Sequence, residues 1–141
     1  MKAYAANTTI AATPDAIWKI LTDAPSYPEW DPGTIRIEGR IGPREKITAY
    51  SKLSPDRAFP VTISSFVPGQ KMTWESGMPL GLFKGVRTFT LTPRADGKTD
   101  FALREEFSGL LLPLIGRSIP DMTETFENFV AGLKARAEGT G

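Results

Sequence analysis

Residues 118–138 read SIPDMTETFENFVAGLKARAE, and this stretch decides the fold that we predict for the chain. Its apolar side chains recur at steps of three and four residues, which places them on one stripe of an α-helix. Ser118 suits the N-cap, Pro120 suits the first turn, and Gly139 is a suitable stop. The sequence therefore predicts one long amphipathic helix from about Ser118 to Glu138. Its apolar stripe comprises Ile119, Met122, Phe126, Phe129, Val130, Leu133 and Ala137.

The residues before this helix indicate β-strands, with short helical structure only near the start. Thr13 is a suitable N-cap for a short helix, and three prolines within residues 25–32 predict a tight elbow that packs Tyr27 and Trp30 inward. Beyond Gly33, apolar and polar residues alternate with period two, and turn residues separate about seven strands. The connections are too short for crossovers, so we expect an antiparallel sheet.

The widths of helix and sheet predict a cavity. Seven strands spaced about 4.8 Å apart make a sheet roughly 34 Å wide, whereas one helix with its side chains is about 10–12 Å across. One helix cannot cover a flat sheet of that width, so we expect the sheet to curl around the helix and leave a lined cavity. The apolar loop at residues 109–116 either acts as a lid or plugs the core. The predicted class is α+β, in a single domain over residues 1–141.

Composition excludes several classes of function. The chain has 17 Lys and Arg against 16 Asp and Glu, a net charge of +1 without a basic stripe, so we expect no nucleic-acid partner. It contains no Cys and no His, which removes disulfides, thiol nucleophiles and the commonest metal ligands. We expect neither a cofactor nor a metal site. Without a signal peptide or a membrane span, a soluble cytoplasmic protein is expected.

The order of these segments resembles the START-like (SRPBCC) superfamily with its helix-grip fold, and in particular its polyketide cyclase/dehydrase-type branch. The resemblance covers essentially the whole chain and is carried by TPDAIW at 13–18, YPEWDP at 27–32, and residues 85–109. It implies a deep cavity between sheet and C-terminal helix, in which relatives hold lipids, hormones or aromatic polyketides, but no single chemistry. Asp31 stands where relatives often have Asn, which weakens the transfer of any role for the elbow.

Two ionisable residues of the last hairpin are the best candidates for chemistry. With a turn near Asp96, Arg87 pairs across the strands with Glu105 on a face that is otherwise apolar. The pair is either a structural ion pair, which we favour, or the polar anchor of a pocket. In the second case, Arg87 grips a ligand carboxylate, phenolate or carbonyl, and Glu105 orients Arg87 or acts as a base.

Large apolar residues are further candidates for the cavity wall, although such residues more often form ordinary core. Tyr27 and Tyr50 are possible hydroxyl donors. The candidate ligand-binding residues, including the charged pair, are Trp30, Phe59, Trp74, Met78, Phe83, Arg87, Phe89, Leu103, Glu105, Met122, Phe126 and Phe129.

We interpret the chain as a domain that binds a small hydrophobic or amphipathic ligand, such as a lipid, a quinone or an aromatic polyketide. Two alternatives stay open. The first is a cyclase or aromatase, in which Arg87, Glu105 or a Tyr hydroxyl polarises a carbonyl for ring closure and loss of water. The second is an interaction module with a vestigial cavity, whose apolar loop at 110–115 docks a partner or a second copy, so that the chain is a monomer or a homodimer.

Overall fold

The computed structural model describes residues 2–139, with every side chain in that range except that of Ser118. Its strands are β1 (Lys2–Ile10), β2 (Thr34–Glu38), β3 (Lys46–Ser51), β4 (Phe59–Val67), β5 (Lys71–Met78), β6 (Phe83–Pro93) and β7 (Thr99–Ser108). Its α-helices are α1 (Pro14–Leu21), α2 (Tyr27–Trp30), α3 (Leu112–Ile115) and α4 (Thr123–Ala137), and 3-10 turns lie at Ala24–Ser26 and Gly116–Ser118.

The strands form one antiparallel sheet of seven, in the order β1-β7-β6-β5-β4-β3-β2. The sheet curls around α4, which contacts β1, β7, α1 and α2. The α+β prediction, the curled sheet and the short helices between the first two strands are confirmed. Thr13 caps α1 as predicted, because its hydroxyl accepts a hydrogen bond from the Ala16 N–H at 3.2 Å.

The predicted start of the long helix is wrong. The helix begins at Thr123, because Pro120 keeps the preceding Ile119 extended (φ −76°, ψ 119°) and so prevents a helix from entering through it. Asp121 satisfies the first turn by accepting the Thr123 N–H at 3.0 Å, and the cap predicted for the Ser118 side chain lies outside what the structure describes. The other end agrees with prediction, since the helix ends at Ala137 and Gly139 has a left-handed φ of 76°.

Phe129 on α4 joins the helix to both the elbow and the sheet. Its ring centre lies 5.0 Å from that of Trp30 on α2, 5.9 Å from that of Phe89 on β6, and 6.2 Å from that of Phe101 on β7. Tyr27 and Trp30 are buried as the elbow prediction required. This aromatic cluster closes the end of the curled sheet near the β6–β7 turn.

A glycine inside α4 allows the helix to approach the elbow. A Cβ at Gly132 would collide with the backbone carbonyl of Trp30, so the helix and α2 lie closer together than any other residue would permit. Glycine in a helix interior costs roughly 1 kcal/mol relative to alanine, and the close contact explains why it is found here.

We expect Gly132→Ala to destabilise the protein by about 3 kcal/mol, because the clash with the Trp30 carbonyl outweighs the better helix propensity of alanine. Urea unfolding measures the change. Ala131→Gly, at an exposed neighbouring position, is the control and should cost only about 1 kcal/mol. A stabilised Gly132→Ala protein would contradict the proposed close packing.

Candidate functional site

A cavity of about 510 Å³ lies between the concave face of the sheet and the first half of α4. Strands β2 to β7 all contribute residues to its sheet side, and the elbow forms another side. The β3–β4 loop and the segment that leads into α4 complete it through residues such as Leu53, Arg57, Ile115 and Ile119. The aromatic cluster around Phe129 forms its inner end. This space lies between sheet and helix, where the sequence analysis expects a cavity, and its use as a ligand site stays a prediction.

Arg87 and Glu105 face each other across β6 and β7, and both line this cavity. The predicted cross-strand pairing is confirmed, including Phe89 opposite Leu103 and Leu91 opposite Phe101. Arg87 Nε donates to Glu105 Oε1 at 2.6 Å, and the guanidinium carbon lies 5.0 Å from the centre of the Phe126 ring. The carboxylate and the ring together hold the cation in place on the cavity wall.

Asp31 is a second carboxyl group on the cavity wall that sequence reasoning discounted. It is only 5% exposed, and it accepts hydrogen bonds from the Gly33 N–H at 3.1 Å and the Thr34 hydroxyl at 2.6 Å. Burial raises the pKa of Asp31 above its ordinary value, while those two hydrogen bonds and the charge of Arg87 act in the opposite direction. Its position directly after the buried Trp30 was the signal in the sequence that could have revealed it.

Two further aromatic residues of the cavity wall, Tyr27 and Trp74, differ in how their polar atoms are used. The Tyr27 hydroxyl donates to the Leu21 carbonyl oxygen at 2.5 Å, and burial raises the pKa of Tyr27 well above its ordinary value. The hydroxyl proton of Tyr27 is therefore already used in a hydrogen bond within the protein. By contrast, the buried Trp74 indole N–H has no acceptor among residues 2–139. Trp74 pairs directly with Arg87 across β5 and β6.

Most predicted wall residues do line the cavity, and their ligand-binding role stays a prediction. The lining members are Phe59, Trp74, Met78, Phe83, Arg87, Glu105, Met122, Phe126 and Phe129. The structure places Trp30, Phe89 and Leu103 in the core instead. The reason for Phe89 and Leu103 is depth, since both lie two residues beyond the charged pair toward the β6–β7 turn. Trp30 packs edge-on against Phe129 and does not line the space.

Several wall residues were not foreseen because a sequence pattern does not specify where their strand, short helix or loop lies in space. They include Tyr50, which was considered only as a possible hydroxyl donor, together with Leu53, Arg57, Ile115, Ile119 and Pro120. Tyr50 stacks under the Arg36 guanidinium, whose central carbon lies 3.7 Å from the ring centre. Its hydroxyl donates to Glu38 Oε1 at 3.2 Å.

Within residues 2–139, no group of three or more acidic side chains is arranged to hold a metal ion. None of the helices described there is long and apolar enough to cross a membrane.

A family described as "Polyketide cyclase / dehydrase and lipid transport" matches residues 1–138 of the sequence. The chain belongs to this family. Membership confirms the polyketide cyclase-type branch of the START-like superfamily and supports a ligand-binding or cyclase role. Among curated proteins, none matches the sequence.

Solved structures with the same fold share little sequence with the chain. A hypothetical protein from Helicobacter pylori is 10% identical with a TM-score of 0.78, over 96% of this chain and 88% of that one. A START superfamily protein from Mycobacterium smegmatis is 16% identical with a TM-score of 0.69, over 99% of both chains. The two-domain ARO/CYC protein StfQ of the steffimycin biosynthetic pathway is 17% identical with a TM-score of 0.73, over 97% of this chain and 51% of StfQ. These likenesses show the helix-grip fold.

The charged pair should be sensitive to the loss of one partner. Glu105→Leu leaves Arg87 without its carboxylate on an apolar wall, so we expect a loss of roughly 2–3 kcal/mol in the free energy of unfolding, somewhat below that of a fully buried pair. The double variant Arg87→Met/Glu105→Leu should recover much of this loss, because no charge is then left unpaired.

Glu106→Gln is the matched control for this urea-unfolding experiment. Glu106 pairs with Arg104 at 2.9 Å on the exposed face of the same strand, and should contribute less than about 1 kcal/mol. A double variant less stable than Glu105→Leu would show that the side-chain volumes, not the charges, determine stability at this site.

Asp31 should make stability depend on pH. The pKa of Asp31 is higher in the folded state than in the unfolded state. At pH values between these two pKa values, the folded protein binds more protons than the unfolded chain, so the free energy of unfolding falls as pH rises through that range. Asp31→Asn removes the ionisable group and with it this decrease in stability. The variant's free energy of unfolding should therefore exceed that of the wild type most at neutral pH, and the difference should shrink as pH falls. Unfolding at a series of pH values measures it.

The control for this comparison is Asp56→Asn, which removes one carboxylate from the exposed β3–β4 loop. It should not reproduce the pH-dependent advantage. A difference between Asp31→Asn and wild type that stays constant across the series would contradict an effect of burial on Asp31.

Proposed function

We propose that the chain binds one small amphipathic molecule in this cavity, with an apolar body and a polar oxygen at Arg87. The observation that carries the proposal is a cation held on the wall of a largely apolar cavity of about 510 Å³. That volume lies within the roughly 300–1,000 Å³ usual for small-molecule sites.

Arg87 is suited to anchor a ligand even though it is paired. A guanidinium has five N–H donors, and a carboxylate takes at most two of them in a bidentate pair, so donors remain for a ligand oxygen. Glu105 and the Phe126 ring hold the side chain in one orientation before the ligand arrives. This favours a carbonyl, carboxylate or phenolate oxygen at Arg87.

The apolar part of the wall favours a flat or flexible hydrocarbon body. Aromatic rings stack on planar ligands, and methionine adapts to irregular shapes. Phe59, Phe83 and Trp74 supply the rings, and Met78 and Met122 supply the adaptable contacts. The family description, which includes polyketide cyclases and lipid transport, supports the same classes: lipids, quinones and aromatic polyketides.

A cyclase or aromatase is the second candidate function, and Asp31 is the observation that favours it. Burial raises the pKa of this cavity-lining carboxyl, which brings its proton closer to use near neutral pH. Arg87 would polarise a ligand carbonyl while the walls hold a reactive chain folded for ring closure. Asp31→Asn should then abolish turnover but leave ligand affinity nearly unchanged.

A cytoplasmic protein that acts as a monomer or homodimer, without a nucleic-acid partner, completes the proposal. The net charge of +1 with no basic stripe in the sequence supports the absence of a nucleic-acid partner.

The binding proposal is tested by titration with anilinonaphthalene sulfonate, a fluorescent aromatic anion. Ala49→Phe places a bulky ring in the cavity, and Arg87→Met removes the cation, so each should weaken binding by about tenfold or more. Ala102→Phe, on the exposed face of β7, is the control and should bind like the wild type.

Native mass spectrometry of the purified protein, followed by extraction, would identify any natural ligand. A released lipid, quinone or polyketide that is absent from Ala49→Phe would support the proposal. Equal binding of the fluorescent anion by wild type and Ala49→Phe would overturn it, because the cavity would then not be the site.

A further inference from the structure

Three leucines project into solvent beside the cavity mouth. Leu80 is 91% exposed in the β5–β6 turn, and Leu110 and Leu114 are 78% and 77% exposed in the segment after β7. We call these three residues the leucine rim. Large apolar side chains exposed to this extent and gathered together mark an interaction surface more often than chance.

Backbone hydrogen bonds hold the two loops of the leucine rim side by side. The Leu110 N–H donates to the Gly81 carbonyl oxygen at 3.1 Å, and the Leu111 N–H donates to that of Leu82 at 2.8 Å. Leu80 has a left-handed φ of 63°, a backbone conformation that residues with a Cβ rarely adopt. The turn therefore holds an apolar side chain outward at a backbone cost that a glycine would have avoided.

The leucine rim borders the opening of the cavity. Met78 and Phe83, which flank the β5–β6 turn, both line the cavity, and so does Ile115, which directly follows Leu114. The β3–β4 loop contributes Leu53, 43% exposed, to the same wall. An apolar ligand that enters or leaves there passes the exposed leucines.

The charges around the leucine rim are mainly positive. No acidic residue occurs between Glu75 and Asp96 or between Glu106 and Asp121, the two sequence intervals that contain the rim. Arg117 is exposed directly after α3, and Lys52 and Arg57 are exposed on the β3–β4 loop. The acidic exceptions are Asp56 on that loop, the exposed Asp121, and Glu75, which pairs with Lys84 at 2.6 Å.

We propose that the leucine rim docks the protein on a lipid bilayer that contains anionic lipids, with the cavity mouth facing the membrane. Separate apolar tips on adjacent loops insert to the boundary between headgroups and acyl chains, where each side chain contacts hydrocarbon, and the nearby cations attract anionic headgroups. The apolar ligand then moves between bilayer and cavity without crossing water. This proposal goes beyond ligand binding, because the rim lies outside the cavity and can be altered separately.

The test is sedimentation of the intact protein with vesicles of phosphatidylcholine, with or without phosphatidylglycerol. Wild type should bind the mixed vesicles, and added salt should weaken the binding. The variant Leu80→Ser/Leu110→Ser should bind about tenfold or more weakly, because two inserted side chains are lost. Val67→Ser is the matched control. Val67 is an exposed apolar residue at the end of β4, beside the β4–β5 turn and therefore at the opposite end of the strands from the β5–β6 turn.

Charge is tested in the same assay with Arg117→Glu, against Arg40→Glu as the control in the β2–β3 connection. Only the first should weaken binding to mixed vesicles. Far-ultraviolet circular dichroism and anilinonaphthalene sulfonate titration of each variant check the fold and the cavity. Unchanged dye binding by the leucine variant shows that the two proposals are separable.

Two results would overturn the membrane proposal. The first is wild-type protein that stays in solution with both kinds of vesicle while it still binds the dye. The second is a dimer in solution that Leu80→Ser/Leu110→Ser dissociates without any vesicle binding, which would assign the leucine rim to a second copy of the chain.

Discussion

The fit of one helix against a sheet much wider than itself is the constraint on which the structure depends. Seven strands must bury an apolar face, and α4 is the long helix available for it in the described chain. The sheet solves this by curling, and Phe129 joins helix, elbow and sheet at one end. Gly132 allows the close approach of α4 to the elbow that this packing requires. Toward the other end the helix no longer fills the space, and a cavity is left.

The charged pair lies at the boundary between the filled and the open parts of this interior. One step toward the closed end, Phe89 and Leu103 are fully buried core residues, whereas Arg87 and Glu105 face the cavity. An isolated charge would be too costly there, and the short bond between the two side chains offsets much of the loss of solvent. The pair is a structural ion pair that also faces the cavity, so the proposed role as a polar anchor does not exclude the structural one.

The open end of the structure combines features that a simple storage cavity does not need. Its turn and helical segment expose leucines, lack carboxylates, and are joined by main-chain hydrogen bonds. A buried apolar wall continues outward into an exposed apolar rim. The proposed exchange of ligand at an apolar surface would use this continuity, because transfer of a hydrophobic molecule through water is unfavourable.

The sequence by itself determined the elements of this protein and their order. Period-two alternation identified the strands, the turn near Asp96 set the register that pairs Arg87 with Glu105, and the proline-rich elbow predicted the burial of Tyr27 and Trp30. These are local signals, since each depends on neighbours along the chain or across a single hairpin.

Only the tertiary structure decided how deep each residue lies along the interior and which loops meet at the mouth. Trp30 was expected on the wall but packs against Phe129 in the core, and Asp31 was not among the expected wall residues but lines the cavity. Alternation states which face of a strand a side chain occupies, but not where along that face the helix stops covering it. That boundary, and with it the site, depends on contacts between elements distant in sequence, which no local pattern records.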